Sequence, residues 1–195
     1  MTLKELRNLF PDATLETWHQ HPNGSGWVQN TATVSDNAYI GPSALVYGDA
    51  QVYGDAKVYG DAMVYGNAQV YGDARVSGNA QVYCDARVYG YAKVSGNAQV
   101  YDKAEVYGYA QVSGYAQVYG GRWAVTPLQI NGTMHSFNVC SATEIQIACK
   151  THTVAWWEAH YVEVGTREGY TQDQIEEYGL YIKLAKEWLK KYVQK

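Results

Sequence analysis

A mainly β, three-sided solenoid followed by a small α+β domain is the fold class this sequence predicts, and three observations predict it. An aliphatic residue falls on every sixth position from Val28 to Val118, with Ile40 the one exception to valine. Two places before each of these, from Ala32 to Ala116, the residue is alanine. From Val46 on, the residue after the aliphatic is tyrosine except at Ser77, Ser95 and Ser113, three positions spaced 18 apart.

Side chains two apart in an extended segment share a face. Val and Ala therefore form an inward pair, and each hexapeptide is one short strand plus one turn. The turn is written in the Gly-Asp or Gly-Asn that follows, because Gly takes positive φ and Asp or Asn tolerates it. A short fixed period implies stacked coils whose units cannot stand alone. If three hexapeptides close one coil, the three serines fall in one column, about 4.8 Å apart. Alanine is required because a larger side chain near a narrow corner would overpack. The run from residue 27 to 121 resembles the left-handed parallel β-helix family, whose hexapeptides carry an aliphatic residue with a small one two places before it. The resemblance implies a left-handed prism and a homotrimer.

Unrolling the prism gives three unlike faces. The first carries Leu45, Met63, Gln81, Gln99 and Gln117 beside Tyr47, Tyr65, Tyr83, Tyr101 and Tyr119. The second carries Gln51, Gln69, Arg87 and Glu105 beside Tyr53, Tyr71, Tyr89 and Tyr107. Such ladders either stack within the chain or form a subunit interface. The third sets Lys57, Arg75, Lys93 and Gln111 beside Tyr59, Ser77, Ser95 and Ser113. Its like charges repel, so solvent and splaying, acidic residues of another subunit, or an anionic ligand must compensate. The serines cut a groove about 10 Å long. Lys57, Arg75, Lys93, Tyr59, Ser77, Ser95 and Ser113 are thus the candidate ligand-binding residues. At the corners Asp or Asn gives way to Tyr91, Tyr109 and Tyr115, which suggests a covering element.

Residues 1–26 read as a helix and cap. Thr2 and Glu5 have capping-box spacing, Pro11 ends the helix, and the turn-rich WHQHPNGSGW closes the first coil. Residues 122–195 read as the α+β domain. WAVTPLQI, an Asn131-Gly132 turn and TMHSFNVC form a hairpin, with EIQIAC a third strand. Thr153 precedes a helix that Gly165 stops. Thr171 with Gln174 opens a long helix with Ile175, Tyr178, Ile182, Ala185, Leu189 and Tyr192 on one stripe and Tyr181, Leu184 and Trp188 on a second. That helix would pack on its own sheet and meet its symmetry mates.

The 195 residues carry a formal charge of −4, which disfavours nucleic-acid polymers and acidic membranes as partners. Three widely spaced cysteines, Cys84, Cys140 and Cys149, do not make a secreted disulfide framework. Charges interrupt the N-terminal MTLKELRNLF, and no apolar run reaches a membrane span. A reducing cytoplasm is expected. His19-x-His21 and the set His135, Cys140, Cys149 and His152 are weak metal patterns, and neither a metal nor another cofactor is expected.

Acyltransferases of the hexapeptide type use a catalytic histidine, often with an extruded loop; this run has no histidine from residue 22 to 134 and no insertion. A base would have to come from His135, His152 or His160. The GWV-x2-TA-x-V opening, the VYGDA run and the WAVTPLQI tail resemble hexapeptide proteins carried by bacteriophages of gut bacteria. That resemblance implies a phage accessory protein in a bacterial cytoplasm, a type that includes sponges binding nucleotide signals of bacterial immunity without cleaving them. The first expectation is therefore a non-enzymatic, anti-defence sponge for a small anionic ligand such as a cyclic nucleotide or nucleotide derivative. An acyltransferase and a structural or protein-binding module are the alternatives.

Overall fold

A computed structural model describes residues 1–193. The chain divides into two compact units, one spanning Met1–Thr126 and one beginning at Pro127.

The first unit is a β-solenoid of about five turns, and its parallel ladders join residues 18 apart: Arg75 faces Lys57 on one side and Lys93 on the other. The same register links Gln81 with Met63 and Gln99, and Arg87 with Gln69 and Glu105. Three hexapeptides therefore close one coil. The three faces are sheets of parallel strands containing, in turn, Leu45–Val46, Gln51–Gly54 and Lys57–Val58 with their repeats, the first extended by one antiparallel edge strand, Trp18–Gln20, against Trp27–Gln29. Val52, Val58, Val64 and the alanines between them, such as Ala56 and Ala62, are fully buried. Backbone bonds such as Lys57 N–H to Ala74 O (2.9 Å) and Ser77 N–H to Val94 O (2.9 Å) join rung to rung.

Tyrosines stack as the spacing requires. Tyr71 lies 4.8 Å from both Tyr53 and Tyr89, with rings within 3° of parallel, and the first-face ladder repeats the arrangement from Tyr47 to Tyr119. The corner tyrosines differ from expectation. Tyr109 and Tyr115 are 77% and 74% exposed, no element of this unit covers them, and Tyr109 instead stacks on Tyr91 at 5.2 Å. At another corner Cys84 and Asp102 take the left-handed conformation, φ 57° and 53°, that glycine holds elsewhere in the column.

The hexapeptide spelling stops at Gly121, yet Arg122–Trp123 adds one more parallel strand against Glu105–Val106. At the other end, helix α1 (Leu3–Leu9) has the capping box of Thr2 and Glu5 and ends at Phe10. Rather than lying across the coil's opening, α1 packs Leu6 against Trp18, Trp27 and Leu45, with Phe10, Tyr47 and Met63 around them. The opening itself is closed by the 21–26 loop: Gly26 N–H reaches Ile40 O at 2.9 Å, and Ile40 N–H reaches Asn23 O at 3.0 Å. Leu45 and Met63 stand where later rungs have glutamine because α1 covers them.

The second unit is a four-stranded antiparallel meander, Gln129–Asn131, Ser136–Val139, Glu144–Ile147 and Lys150–Thr153. It is followed by α2 (Val154–Arg167) and α3 (Gln172–Tyr192). The hairpin begins its second strand at Ser136 rather than Thr133, because α3 holds the 132–135 segment. Glu177 accepts from the Thr133 N–H at 3.0 Å and from its hydroxyl, and the Tyr178 hydroxyl bridges the His135 N–H and carbonyl at 2.6 and 2.7 Å. The fourth strand was not legible, since KTHT has no apolar alternation and its Ala148-Cys149 turn lacks the usual residues, Ala148 taking φ 53°. Gly165 does not stop α2: it is buried inside the helix, where a Cβ would come within 2.8 Å of Ile175. The left-handed turn falls at Gly169, φ 77°. On α3, Ile175, Tyr178, Ile182, Ala185 and Leu189 are buried, whereas Tyr192 and Leu184 are 41% and 49% exposed. Among the described residues no helix is long and apolar enough to cross a membrane.

Candidate functional site

Because the coil closes every 18 residues, the outward residue before each valine of the third face forms a vertical file. Tyr39, Lys57, Arg75, Lys93 and Gln111 stand in register along it. Lys57, Arg75 and Lys93 are exposed, and none of them is in an ion pair or side-chain hydrogen bond among the described residues. The adjacent file runs Tyr59, Ser77, Ser95, Ser113; Tyr59 is 38% exposed and the serines are half-buried. All seven residues foreseen as ligand contacts are thus on one face.

The face is not uniform along its length. A groove of about 620 Å³ opens at its N-terminal end, lined by Tyr39, Lys57, Tyr59 and Arg75 together with Asn23, Asn37, Asp55 and Asp73. Lys93 and the three serines lie beyond it. The groove is therefore bounded by an aromatic and two cations on one file and by two carboxylates on the corner file, so the formal charges of Asp55, Asp73, Lys57 and Arg75 cancel. In the sequence, Asp55 and Asp73 have the form of turn residues, each following a glycine. The signal that they belong to this surface was present, since each precedes its cation by two positions and so points outward with it. Asn23 carried no such signal, because it arrives from the capping loop.

The histidines and cysteines occupy separate places. His19 Nδ1 lies 2.7 Å from Asn30 Oδ1, while His21 is buried. In the second unit His152 and His160 both stack on Trp156, with centroids 3.6 and 4.4 Å away. Cys140 is buried, which pushes its thiol up to about 12, whereas Cys149 is exposed. No three His, Cys, Asp or Glu side chains among the described residues are grouped to hold a metal ion.

Residues 68–84, nearly one coil, match the model of the family described as YdcK Beta solenoid repeat. No curated protein and no solved structure matches the chain.

Proposed function

We propose that this chain is a non-catalytic binding protein, a homotrimer of left-handed coils, that sequesters a small anionic, nucleotide-like ligand on the third face. The observation that carries the proposal is the in-register file Lys57, Arg75, Lys93, exposed and without ion pairs among the described residues, whose first two members line a 620 Å³ groove. Cations on adjacent rungs suit phosphate oxygens, to which guanidinium and ammonium donate charge-assisted hydrogen bonds. Tyr39 and Tyr59 offer ring faces to a base. Asp55 and Asp73, acceptor-only when ionised, suit sugar hydroxyls or exocyclic amines, so a ligand with an anionic part and a donor-rich part fits better than a bare anion. The serine file extends the seat beyond Arg75. The tyrosine ladders, half-buried except for the exposed Tyr53, leave ring edges as surface for a trimer, and the resemblance to phage hexapeptide proteins supports an anti-defence role.

The test is to denature the purified protein and identify released small molecules by mass spectrometry. A phosphorylated nucleotide, retained by wild type and lost by Lys57→Glu/Arg75→Glu with an unchanged oligomeric state, is the expected result. Undiminished retention in that variant rejects the groove, and release or turnover of a coenzyme A thioester favours the acyltransferase instead. A protein-binding module is the second possibility. The exposed Tyr109 and Tyr115 favour it, and an empty protein that captures a host partner only while those tyrosines are present would establish it.

A further inference from the structure

The second unit contains a cavity of about 170 Å³ between its sheet and its two helices, unrelated to the solenoid groove. Ile147, Trp157, Tyr161, Val164, Ile175 and Tyr178 contribute to its wall. Four of these, Ile147, Trp157, Ile175 and Tyr178, are at most 6% exposed. Two of the wall's polar atoms are already committed to the backbone. The Trp157 indole N–H donates to Ile145 O at 3.0 Å, and the Tyr178 hydroxyl donates to His135 O at 2.7 Å while accepting from the His135 N–H. These two rings therefore turn their apolar surfaces to the space, and the His135 imidazole, the Cys149 thiol and the Tyr161 and Tyr170 hydroxyls are the remaining uncharged polar groups of a mostly apolar wall. The charged side chains in the lining neutralise each other, with Lys150 Nζ 3.4 Å from Glu168 Oε1.

A void of this kind is costly in a domain that could have closed it. The Ala148-Cys149 turn borders it, and Ala148 holds a left-handed conformation, φ 53°, of the sort that persists where surrounding structure fixes it and that clusters at binding sites. Apolar cavities of about 150 Å³ stay dry and accept benzene-sized molecules. We infer that this cavity is a binding site for a small neutral aromatic molecule of about six to eight heavy atoms, seated against Trp157 and Tyr178. Charged molecules are excluded because the wall offers no unpaired Lys or Glu.

Titrating the full-length, methyl-labelled protein with benzene and p-cresol tests this. Saturable shifts at the methyls of Ile147, Val164 and Ile175, with none at Val58 or Val76 of the solenoid, are expected, and benzoate should bind at least ten-fold more weakly. Val164→Phe, which fills the space, should abolish the shifts while preserving the circular dichroism spectrum. Absence of saturable shifts up to the solubility of both probes, benzoate binding as well as benzene, or undiminished binding by Val164→Phe each overturns the assignment. Should that variant unfold, the wild-type titration and the benzoate comparison decide alone. Loss of a nucleotide from the solenoid groove leaves this readout unchanged, so the two proposals fail independently.

Discussion

Arg75 stands one rung above Lys57, Cα partner to Cα partner, and both side chains reach solvent without a carboxylate in ion-pairing range among the described residues. Like charges on adjacent rungs are tolerated where water or a ligand screens them. Two unit charges about 4.8 Å apart repel by about 1 kcal/mol in water, with Asp55 and Asp73 nearby to offset part of that.

Without ligand, Arg75→Gln should leave stability unchanged or raise it by up to about 1 kcal/mol at low salt. The difference should shrink as added salt shortens the screening length. Urea unfolding at two ionic strengths checks this; a salt-independent loss of stability would show that Arg75 anchors the fold.

The corner glycines predict an end effect. Gly78 has φ 69°, and a Cβ there would lie 2.9 Å from the Gly96 carbonyl oxygen, whereas the same atom at Gly114, φ 66°, meets nothing within 4 Å. Both alanine variants incur a left-handed backbone cost of about 1–2 kcal/mol. Gly78→Ala should cost about 1–3 kcal/mol more, because its clash is with backbone that cannot turn aside. Equal denaturation midpoints for the two variants would contradict the stacked-corner geometry.

Tyrosines on the ladders should matter more than the tyrosine beside the groove. Tyr71 stacks on both sides, so Tyr71→Ser should destabilise by about 1–3 kcal/mol from two lost ring pairs, before any loss of burial. Tyr59 has Gly41 below it and Ser77 above in its file. Its replacement by serine should cost less in thermal unfolding while weakening ligand retention.

Glu177 gives a pH response in the second unit. Its carboxyl is held below the ordinary range by the Thr133 hydroxyl, then by the Tyr181 hydroxyl and the Thr133 N–H. A depressed folded-state value means that the stabilisation is complete above the ordinary carboxylate range and disappears as pH falls through the lowered value. Hydrogen exchange at the Thr133 amide should therefore accelerate in acid beyond its intrinsic pH dependence, and Glu177→Gln should remove that excess. An identical acid profile in the variant would place the Thr133 tether elsewhere.

Much of the first unit was legible because its residues repeat. A Val-Ala pair every six positions leaves one inward arrangement, and the serines at 77, 95 and 113 reveal which residues stack. The faces, and with them the file of Lys57, Arg75 and Lys93, follow. The second unit was less legible: Gly165 has the form of a helix stop but serves as a contact surface for Ile175, and only packing distinguishes the two uses.

The sequence by itself determined the period, the inward pairs and the ordering of outward columns, since a strict repeat converts distance along the chain into position in space. Tertiary structure decided what lies beside those columns. It placed α1 over Leu45 and Met63, brought Asn23 and Asp55 to the groove, and left a void among Ile147, Trp157 and Ile175. These arrangements join segments related by no period, so their geometry is set by side-chain volumes and hydrogen-bond partners that meet only after the chain has folded.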